Sequence, residues 1–425
     1  MAPPHTHQSH DPAGWCAALA LAFLALACVR LGLPSKPYFD EIHYLPAARA
    51  LLAGSDWLNR EHPMFGKEVL AAGIFLLGDH PWAWRLPSAL AGALALWASM
   101  RALWFASLRR FATIAYGVLL ASGFMLFVHA RIAMLDCFMI ALLAVAFWQC
   151  AAAVREPEHG RRSLAIAGVA IGLALGTKWN AIPLAPVPGL AFLSVRLRAN
   201  GWAGLIGHRG APVPGIRLPE AAVWLGLVPL AVYALTYLPA YLIEPAQVGP
   251  MGFTGLHEMM LKMQESVTKP HPYQSVWTDW IIDRRAIWYL YEPADGAQRG
   301  VLLIGNPLTM LLGLPAVAWC AWAGIKHQRV DALALALLYA ASLGLWIVAA
   351  KPIQFYYHYF LPSMALLGAL ALALDALRER GWGWLAWTVL IGSVGLFAWF
   401  FPILSAAPLD GPRAFEYWMW LDSWR

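Results

Sequence analysis

The stretch GWCAALALAFLALACVRLGLPSKPYFDEIHY, residues 14–44, joins an apolar run to two adjacent carboxylates. The run is long enough to cross the ~30 Å hydrocarbon layer of a bilayer, which takes about 20 apolar residues. Asp40 and Glu41 follow within a few residues of its end. An ionised group at a membrane boundary is costly unless a partner offsets its desolvation, so the pair predicts a functional site on the first loop.

The whole chain has the composition of a polytopic membrane protein. Its 425 residues are 60% hydrophobic and 13% charged, whereas soluble domains are roughly 25% charged. The net charge of +6 comes without a basic tail or a nucleic-acid-binding motif, so we expect no nucleic-acid partner. The five cysteines are scattered through apolar segments, which is typical of buried thiols rather than of a disulfide framework or a metal cluster.

Eleven apolar windows have lengths that suit membrane spans. They lie near residues 14–33, 82–100, 111–128, 132–153, 164–178, 181–197, 221–243, 301–323, 331–349, 354–375 and 383–402. A further apolar segment, 68–78, is too short to cross and is predicted to be an interfacial or re-entrant helix. The predicted fold class is therefore an all-α polytopic membrane protein, with a single transmembrane domain over residues 1–425.

The charges of the loops predict the orientation of the bundle. Lys and Arg are concentrated in the loops 101–110, 155–163, 196–217, 326–329 and 378–380, whereas the short turns on the opposite side hold single cations. By the positive-inside rule the first set is cytoplasmic. We therefore expect a cytoplasmic N-terminus and an outer C-terminus. The two long loops, 34–81 and 244–300, then face the periplasm or the cell exterior.

Further charged residues gather on this outer face. Arg85 opens the second span, Arg131, Lys178 and Lys351 lie in short turns, and Asp136 lies one turn inside the fourth span. Any one cation can snorkel to lipid headgroups without functional meaning. Together they suit the phosphate of a lipid, and a nearby carboxylate suits a general base acting on a hydroxyl nucleophile. The pattern predicts glycosyl transfer from a lipid phosphate, with cations stabilising the leaving group.

Short motifs along most of the chain resemble those of the protein O-mannosyltransferases, which are membrane glycosyltransferases with the GT-C fold. The motifs are FDEIHY (39–44), HPMFGK (62–67), RIAMLDCF (131–138), GLALGTKW (172–179), HPYQS (271–275), LIGNP (303–307) and FYYHYFLPSM (355–364). They follow the family's order. HPMFGK lacks the second Pro and the Leu of the family's HPPLGK, which alters the packing of that loop. The resemblance implies a GT-C bundle whose two outer loops carry interfacial helices.

The resemblance also implies roles for particular residues. Asp40 would be the base and Glu41 would position the acceptor or the sugar, and the reverse assignment stays open because neighbouring carboxylates are coupled. Arg85 and Lys178 match basic positions at the donor phosphate or sugar, while Arg131 and Lys351 are proposed on charge and placement alone. The weaker candidates, for which a structural role is equally expected, are His43, His62, Lys67, Asp136, His271 and His358.

The implied donor is polyprenyl-phosphate-mannose, and the implied acceptor is a Ser or Thr hydroxyl of an unfolded or exported protein. Transfer would invert the anomeric carbon, on the outer face of a bacterial inner membrane whose lipids surround the bundle. The sequence predicts no cofactor and no metal.

Two alternatives remain at this point. A related transferase would move the lipid-linked sugar to lipid A or to another envelope glycan or lipid. A transporter or lipid flippase is disfavoured, because the spans show no inverted repeat and the polar groups gather on one face.

Overall fold

The computed structural model describes residues 10–205, 207, 210–349 and 351–425. Residues 1–9 of the predicted cytoplasmic N-terminus lie outside the described residues, as do residues 206, 208 and 209 of the predicted cytoplasmic loop 196–217. The described chain is mostly helical. Its α-helices are α1 (Ala13–Cys28), α2 (Glu41–Ala53), α3 (Phe65–Leu77), α4 (Pro81–Ser107), α5 (Arg110–Ala121), α6 (Phe124–His129), α7 (Leu135–Arg155), α8 (Gly160–Thr177), α9 (Val187–Asn200), α10 (Leu218–Ala222), α11 (Val228–Leu235), α12 (Leu238–Ile243), α13 (Pro245–Glu265), α14 (Trp277–Ile281), α15 (Pro307–Lys326), α16 (Val330–Val348), α17 (Phe360–Glu379) and α18 (Gly383–Leu404).

Seven helical segments in the described residues are long and apolar enough to cross a membrane. They are Pro81–Ser107, Leu135–Arg155, Leu218–Ile243, Pro307–Lys326, Val330–Val348, Tyr356–Glu379 and Gly383–Leu404. Helices α1 and α5 are apolar but shorter, with 16 and 12 residues. Each of the predicted windows overlaps a helix, so the polytopic helical fold is confirmed, while the count of eleven spans stays a prediction.

Helices α4, α7, α8 and α17 form the centre of the bundle. Helix α7 packs along both α4 and α8, and α17 contacts α5, α15, α16 and α18. The apolar window of the Tyr356–Glu379 segment is 78% buried, more than that of any other candidate span. This arrangement brings the outer ends of α7, α8 and the Tyr356–Glu379 segment together, and those ends carry Asp136, Lys178 and His358.

Glycines let α8 approach the Leu218–Ile243 segment closely. Gly168, Gly172 and Gly176 recur every fourth residue, so they share one face of α8. A Cβ atom at Gly168 would lie 2.0 Å from the carbonyl oxygen of Trp224, and one at Gly172 would lie 2.6 Å from that of Pro229. Small residues at such spacing permit backbone contact between membrane helices, and here they fix the helix that ends at Lys178.

Of the two long segments predicted to be outer, the first, 34–81, contains two helices, α2 and α3. The short helix predicted over 68–78 is confirmed as α3, whose 13 residues are too few to cross a bilayer. It is wedged into the bundle, since a Cβ at Gly66 would lie 2.7 Å from Leu135 and one at Gly73 would lie 2.7 Å from Pro87. Helix α2 begins at Glu41, so the carboxylate pair occupies a helix start that the sequence did not predict.

The second outer segment holds α13, α14 and a two-stranded antiparallel sheet. Strand β1 (Ile287–Ala294) pairs with β2 (Ala297–Leu303), and Tyr291 lies opposite Gly300. The predicted start of a span at residue 301 is wrong, because residues 301–303 belong to β2 and α15 begins at Pro307. This hairpin is the exception to the all-helical prediction.

We expect Gly168→Ala to destabilise the protein by about 1–3 kcal/mol, since the added methyl group would overlap a neighbouring backbone carbonyl. Gly226→Ala is the matched control, because nothing lies within 4 Å of a Cβ at that position. Thermal unfolding of the purified protein in detergent, followed by size exclusion, measures both. Equal midpoints for the two variants would contradict the close approach.

Candidate active site

Asp40 presents an open carboxylate at the start of α2. The residue is half-buried, and its side chain accepts no hydrogen bond from the residues that the structure describes. Burial raises the pKa of Asp40 above its usual value, the positive charge of Lys178 lowers it, and the negative charge of Asp136 raises it again. A partly exposed carboxylate with an elevated pKa is suited to accept a proton from a substrate.

Glu41 is fully buried and its oxygens are fully occupied. It accepts two hydrogen bonds from the guanidinium of Arg85, from Nε and Nη2, each at 2.8 Å. It also accepts the backbone N–H groups of Tyr38 at 3.2 Å and of Ala133 at 2.9 Å. A carboxylate with four such bonds is held in place and cannot reach a substrate hydroxyl, so the two adjacent acids differ in function.

All N–H groups of the Arg85 guanidinium donate hydrogen bonds within the protein. Besides Glu41, it donates to the carbonyl oxygens of Leu31 at 3.1 Å, Pro34 at 2.8 Å and Lys36 at 3.1 Å. Its side chain is completely buried. The guanidinium offers five donors, and each has a partner within the chain, so this geometry gives Arg85 a structural role, and its predicted contact with the donor phosphate stays a prediction.

Arg131 is also a structural residue. It donates through Nη1 to the carbonyl oxygens of Ala27 and Val29, and through Nη2 to that of Ser405 at 3.1 Å. These carbonyls belong to the ends of α1 and α18, where helix carbonyls lack intrahelical partners. Arg131 thus joins two helix ends, and its predicted contact with the donor stays a prediction.

Lys178 and Asp136 form a buried ion pair near Asp40. The Lys178 Nζ donates to Asp136 Oδ1 at 2.9 Å and to Oδ2 at 2.7 Å, and it lies 5.1 Å from the centroid of the Tyr357 ring. Lys178 is the residue immediately after α8, and Asp136 lies in the first turn of α7. An ammonium has three donors, so one remains for a ligand.

Lys351 is a cation without a hydrogen-bonded partner for its Nζ in the described part of the chain. It follows α16 and is half-buried. The pKa of Lys351 is lowered to about 8, mainly by burial and also by the charge of Lys178, while Asp40 and Asp136 act in the opposite direction. Lys351 is therefore within electrostatic range of Asp40 and Lys178, and its ammonium group keeps its donors for a ligand.

Two of the weaker candidates present unpaired ring nitrogens. His62 Nδ1 and His358 Nε2 are buried and have no hydrogen-bond partner among the described residues. Burial lowers the pKa of His62 well below its usual value, and the charge of Lys178 adds to the effect. His358 accepts the backbone N–H of Phe355 through Nδ1 at 3.0 Å. Buried polar atoms are almost always paired, so these two nitrogens are candidates for contact with a substrate.

The remaining weaker candidates have other surroundings. Lys67 donates to the carbonyl oxygens of Leu58, Asn59 and His62, which organises the loop before α3. His43 is exposed in the first turn of α2. His271 is exposed and accepts the backbone N–H of Tyr273 at 3.2 Å. The structure therefore gives Lys67 a structural role and leaves His43 and His271 at the rim.

Sequence reasoning missed the aromatic wall of the site. Tyr357 lies beneath Lys178 and contacts Phe39 edge-on at 6.1 Å, and Tyr289 stacks on Phe39 at 3.9 Å. Tyr357 belongs to a quoted motif, yet only its histidine was selected there. In the described residues no three His, Cys, Asp or Glu side chains are grouped closely enough to hold a metal ion, so we name no metal ligands.

Comparison with known proteins identifies the family. Residues 61–205 match the family model "Dolichyl-phosphate-mannose-protein mannosyltransferase", and residues 251–424 match "C-terminal four TMM region of protein-O-mannosyltransferase". The chain is 24% identical to a polyprenol-phosphate-mannose–protein mannosyltransferase of Mycolicibacterium smegmatis, and the alignment covers 97% of this chain and 93% of the relative.

Solved structures share the fold. The Saccharomyces cerevisiae protein O-mannosyltransferase Pmt1–Pmt2 complex bound to the sugar donor superposes with a TM-score of 0.80 at 13% identity, covering 97% of this chain and 92% of the other. ArnT from Cupriavidus metallidurans bound to undecaprenyl phosphate superposes with a TM-score of 0.60 at 19% identity, covering 90% and 63%. The predicted GT-C bundle is thereby confirmed as the fold.

We expect Glu41→Gln to lower the free energy of unfolding by about 3–5 kcal/mol, because it leaves the buried Arg85 charge uncompensated. Asp40→Asn is the isosteric control on the neighbouring residue, and we expect it to change stability little, because Asp40 has no hydrogen-bonded partner to lose. Thermal unfolding in detergent compares them. A Glu41→Gln protein as stable as Asp40→Asn would show that the ion pair does not organise the loop.

Proposed function

This chain belongs to the protein O-mannosyltransferase family, and we propose that it transfers mannose from a polyprenyl monophosphate donor to Ser or Thr hydroxyls of exported proteins. The observation that carries the proposal is the open carboxylate of Asp40 beside the ammonium groups of Lys178 and Lys351. A base and a phosphate-binding pair in one space are what this transfer requires.

Asp40 is the general base. Its adjacent carboxylate, Glu41, is sequestered by Arg85 and two backbone N–H groups, which leaves Asp40 as the acid of the pair with free oxygens. In the transfer, the acceptor hydroxyl oxygen bonds to the anomeric carbon while its proton passes to Asp40. The bond between the anomeric carbon and the phosphate oxygen breaks at the same time.

Lys351 and Lys178 hold the phosphate. Developing negative charge on the departing phosphate is stabilised by fixed cations in a site that excludes water. The phosphate is a good leaving group once it is so neutralised, so no acid needs to protonate it. Asp136 holds Lys178 in position through their two hydrogen bonds.

The transfer inverts the configuration of the sugar. A retaining reaction through a covalent intermediate uses a second carboxylate as the nucleophile, about 5–5.5 Å from the first. Near Asp40 the other acids are Glu41, which is fully bonded, and Asp136, which is paired with Lys178. A single displacement on the face opposite the phosphate fits the one available carboxylate.

The protein is a multi-pass membrane protein, and we propose that it lies in a bacterial inner membrane with its N-terminus inside. Asp40 lies in the first of the two long loops, and Lys178 and Lys351 lie in short turns that the positive-inside rule assigns to the same side, the periplasm or the exterior. Acceptors would then be exported chains, presented before they fold. The relatives named as protein mannosyltransferases favour a protein acceptor over lipid A or another envelope glycan.

We expect Asp40→Asn to abolish transfer, with a loss of at least about 100-fold in kcat, the scale of a general base's contribution. Membranes carrying either protein are incubated with radiolabelled polyprenyl-phosphate-mannose and a secreted Ser/Thr-rich protein, and β-elimination releases the O-linked sugar. Label that enters only lipid, or full activity of Asp40→Asn, would overturn the proposal.

The pH dependence should identify the phosphate ligand. With its pKa at about 8, Lys351 is charged below that pH and loses its charge as the pH rises through it. Because kcat/KM reports ionisations of the free enzyme, kcat/KM for the donor should fall above pH ~8. In Lys351→Arg this fall should disappear, since an Arg stays protonated. The same alkaline fall in Lys351→Arg would exclude Lys351 as its origin.

A further inference from the structure

Phe39, the residue immediately before Asp40, has an unusual backbone conformation. Its φ angle is +48°, in the left-handed region that few non-glycine residues adopt. Such a conformation costs of order 1–3 kcal/mol and persists only where the surroundings enforce it. Because Asp40 follows directly, whatever enforces the conformation of Phe39 also sets the direction of the Asp40 side chain.

Two aromatic rings hold Phe39. Tyr289 of β1 lies parallel to it, with ring centroids 3.9 Å apart and an interplanar angle of 18°. Tyr357 contacts it edge-on, at 6.1 Å and 75°. Tyr289 and Tyr357 are buried, with 4% and 8% of their surfaces exposed, whereas Phe39 is half-buried. Offset and edge-to-face contacts of this kind are worth about 0.5–1.5 kcal/mol each beyond burial, comparable to the strain at Phe39.

A hydrogen bond to the helical bundle holds Tyr289 in place. Its hydroxyl donates to His129 Nε2 at 3.1 Å, and His129 Nδ1 donates to the carbonyl oxygen of Met125 at 2.7 Å. The His129 ring is completely buried and stacks on Phe360 at 4.3 Å. This chain of contacts fixes the plane of the Tyr289 ring against the bundle.

The hairpin that carries Tyr289 also contacts residues shortly before Phe39. Asp295, in the turn between β1 and β2, accepts the backbone N–H of Ser35 at 2.9 Å and the Ser35 hydroxyl at 2.5 Å. Glu292 pairs with Lys36 at 2.9 Å. These contacts are exposed and individually weak. Together with the contact between Tyr289 and Phe39, they attach the hairpin to residues 35–39, the segment that precedes Asp40.

We propose that Tyr289 is a positioning residue, which holds Phe39 and thereby aims the Asp40 carboxylate at the acceptor hydroxyl. The inference rests on the role of Asp40 proposed above. It assigns a function to the outer hairpin: a rigid support for the base, supplied by a chain segment about 250 residues away in sequence. Tyr289 acts through Phe39 and takes no part in proton transfer.

Tyr291 provides the matched control on the same strand. Its ring packs against Trp288 at 4.9 Å and Phe415 at 5.1 Å, and its hydroxyl donates to the carbonyl oxygen of Pro412. It thus joins the hairpin to the C-terminal segment and has no aromatic contact with Phe39. A Tyr→Leu change at 291 removes a ring of the same size from the same hairpin without touching the support of Asp40.

The experiment measures kcat and the KM values for donor and peptide acceptor in purified Tyr289→Leu, Tyr289→Phe and Tyr291→Leu proteins. We expect Tyr289→Leu to lower kcat by about 10- to 100-fold, because a base misplaced by about 1 Å loses that much, with both KM values within about two-fold of the wild type. Tyr289→Phe keeps the stack and should restore most of kcat. Tyr291→Leu should keep kcat within about two-fold.

Unchanged kcat in Tyr289→Leu, or an equal loss in Tyr291→Leu, would overturn the inference. If Tyr289→Leu is not obtained in folded form, Phe39→Leu removes the same stack from the other side, and its kcat decides in the same sense. Asp40→Asn is assayed in parallel. If it is active, the proposed base is wrong; if it is inactive while Tyr289→Leu is fully active, only the positioning role is wrong.

Discussion

The ion pair between Glu41 and Arg85 is the contact on which the arrangement of the candidate site depends. Neither side chain is exposed, and burying two charges costs several kcal/mol for each unless every lone pair and N–H group finds a partner. Here every one of these groups has a partner. The N–H groups of Arg85 that do not bind Glu41 donate to carbonyl oxygens of the loop after α1, and the carboxylate of Glu41 also accepts the backbone N–H groups of Tyr38 and Ala133. The loop therefore has one conformation that satisfies the two charges. In that conformation Glu41 points into the protein, and the preceding residue, Asp40, points into the open space.

The cations of the outer face divide according to their chemistry. An Arg guanidinium has a planar array of donors that can satisfy several carbonyls at once, whereas a Lys ammonium is a compact charge on a flexible stem whose pKa responds to burial. Arg85 and Arg131 each gather at least three backbone carbonyls and join segments of the bundle. Lys178 and Lys351 lie beside Asp40 with donor capacity left over. The arginines thus join segments of the bundle, whereas the lysines belong to the proposed substrate site.

The sequence predicted the fold class and drew attention to the acidic pair, because hydropathy and charge are read directly from composition along the chain. It did not separate Asp40 from Glu41, since the two are adjacent and only the helix that begins at Glu41 turns them in different directions. It selected Arg85 and Arg131 because a charge at a membrane boundary is costly. In the structure, backbone carbonyls compensate the desolvation of both guanidinium groups, and such carbonyls have no signature in the sequence. The β-hairpin was missed because its second strand, AQRGVLL, ends in an apolar run that continues into α15 and is indistinguishable from the start of a span.

The charges of the site also bear on the position of its base. Lys178 and Lys351 bring two positive charges, and Asp136 and Asp40 bring two negative charges. In the proposed transfer, a phosphodiester donor adds one negative charge. When its bond to the sugar breaks, the phosphate becomes a monoester and gains a second negative charge, while Asp40 loses its own by accepting the hydroxyl proton. The total charge of the site is therefore the same before and after the displacement. In a poorly solvated pocket, desolvation opposes a change in net charge. A constant total charge therefore favours a base that lies close to the phosphate-binding lysines over a base that lies far from them.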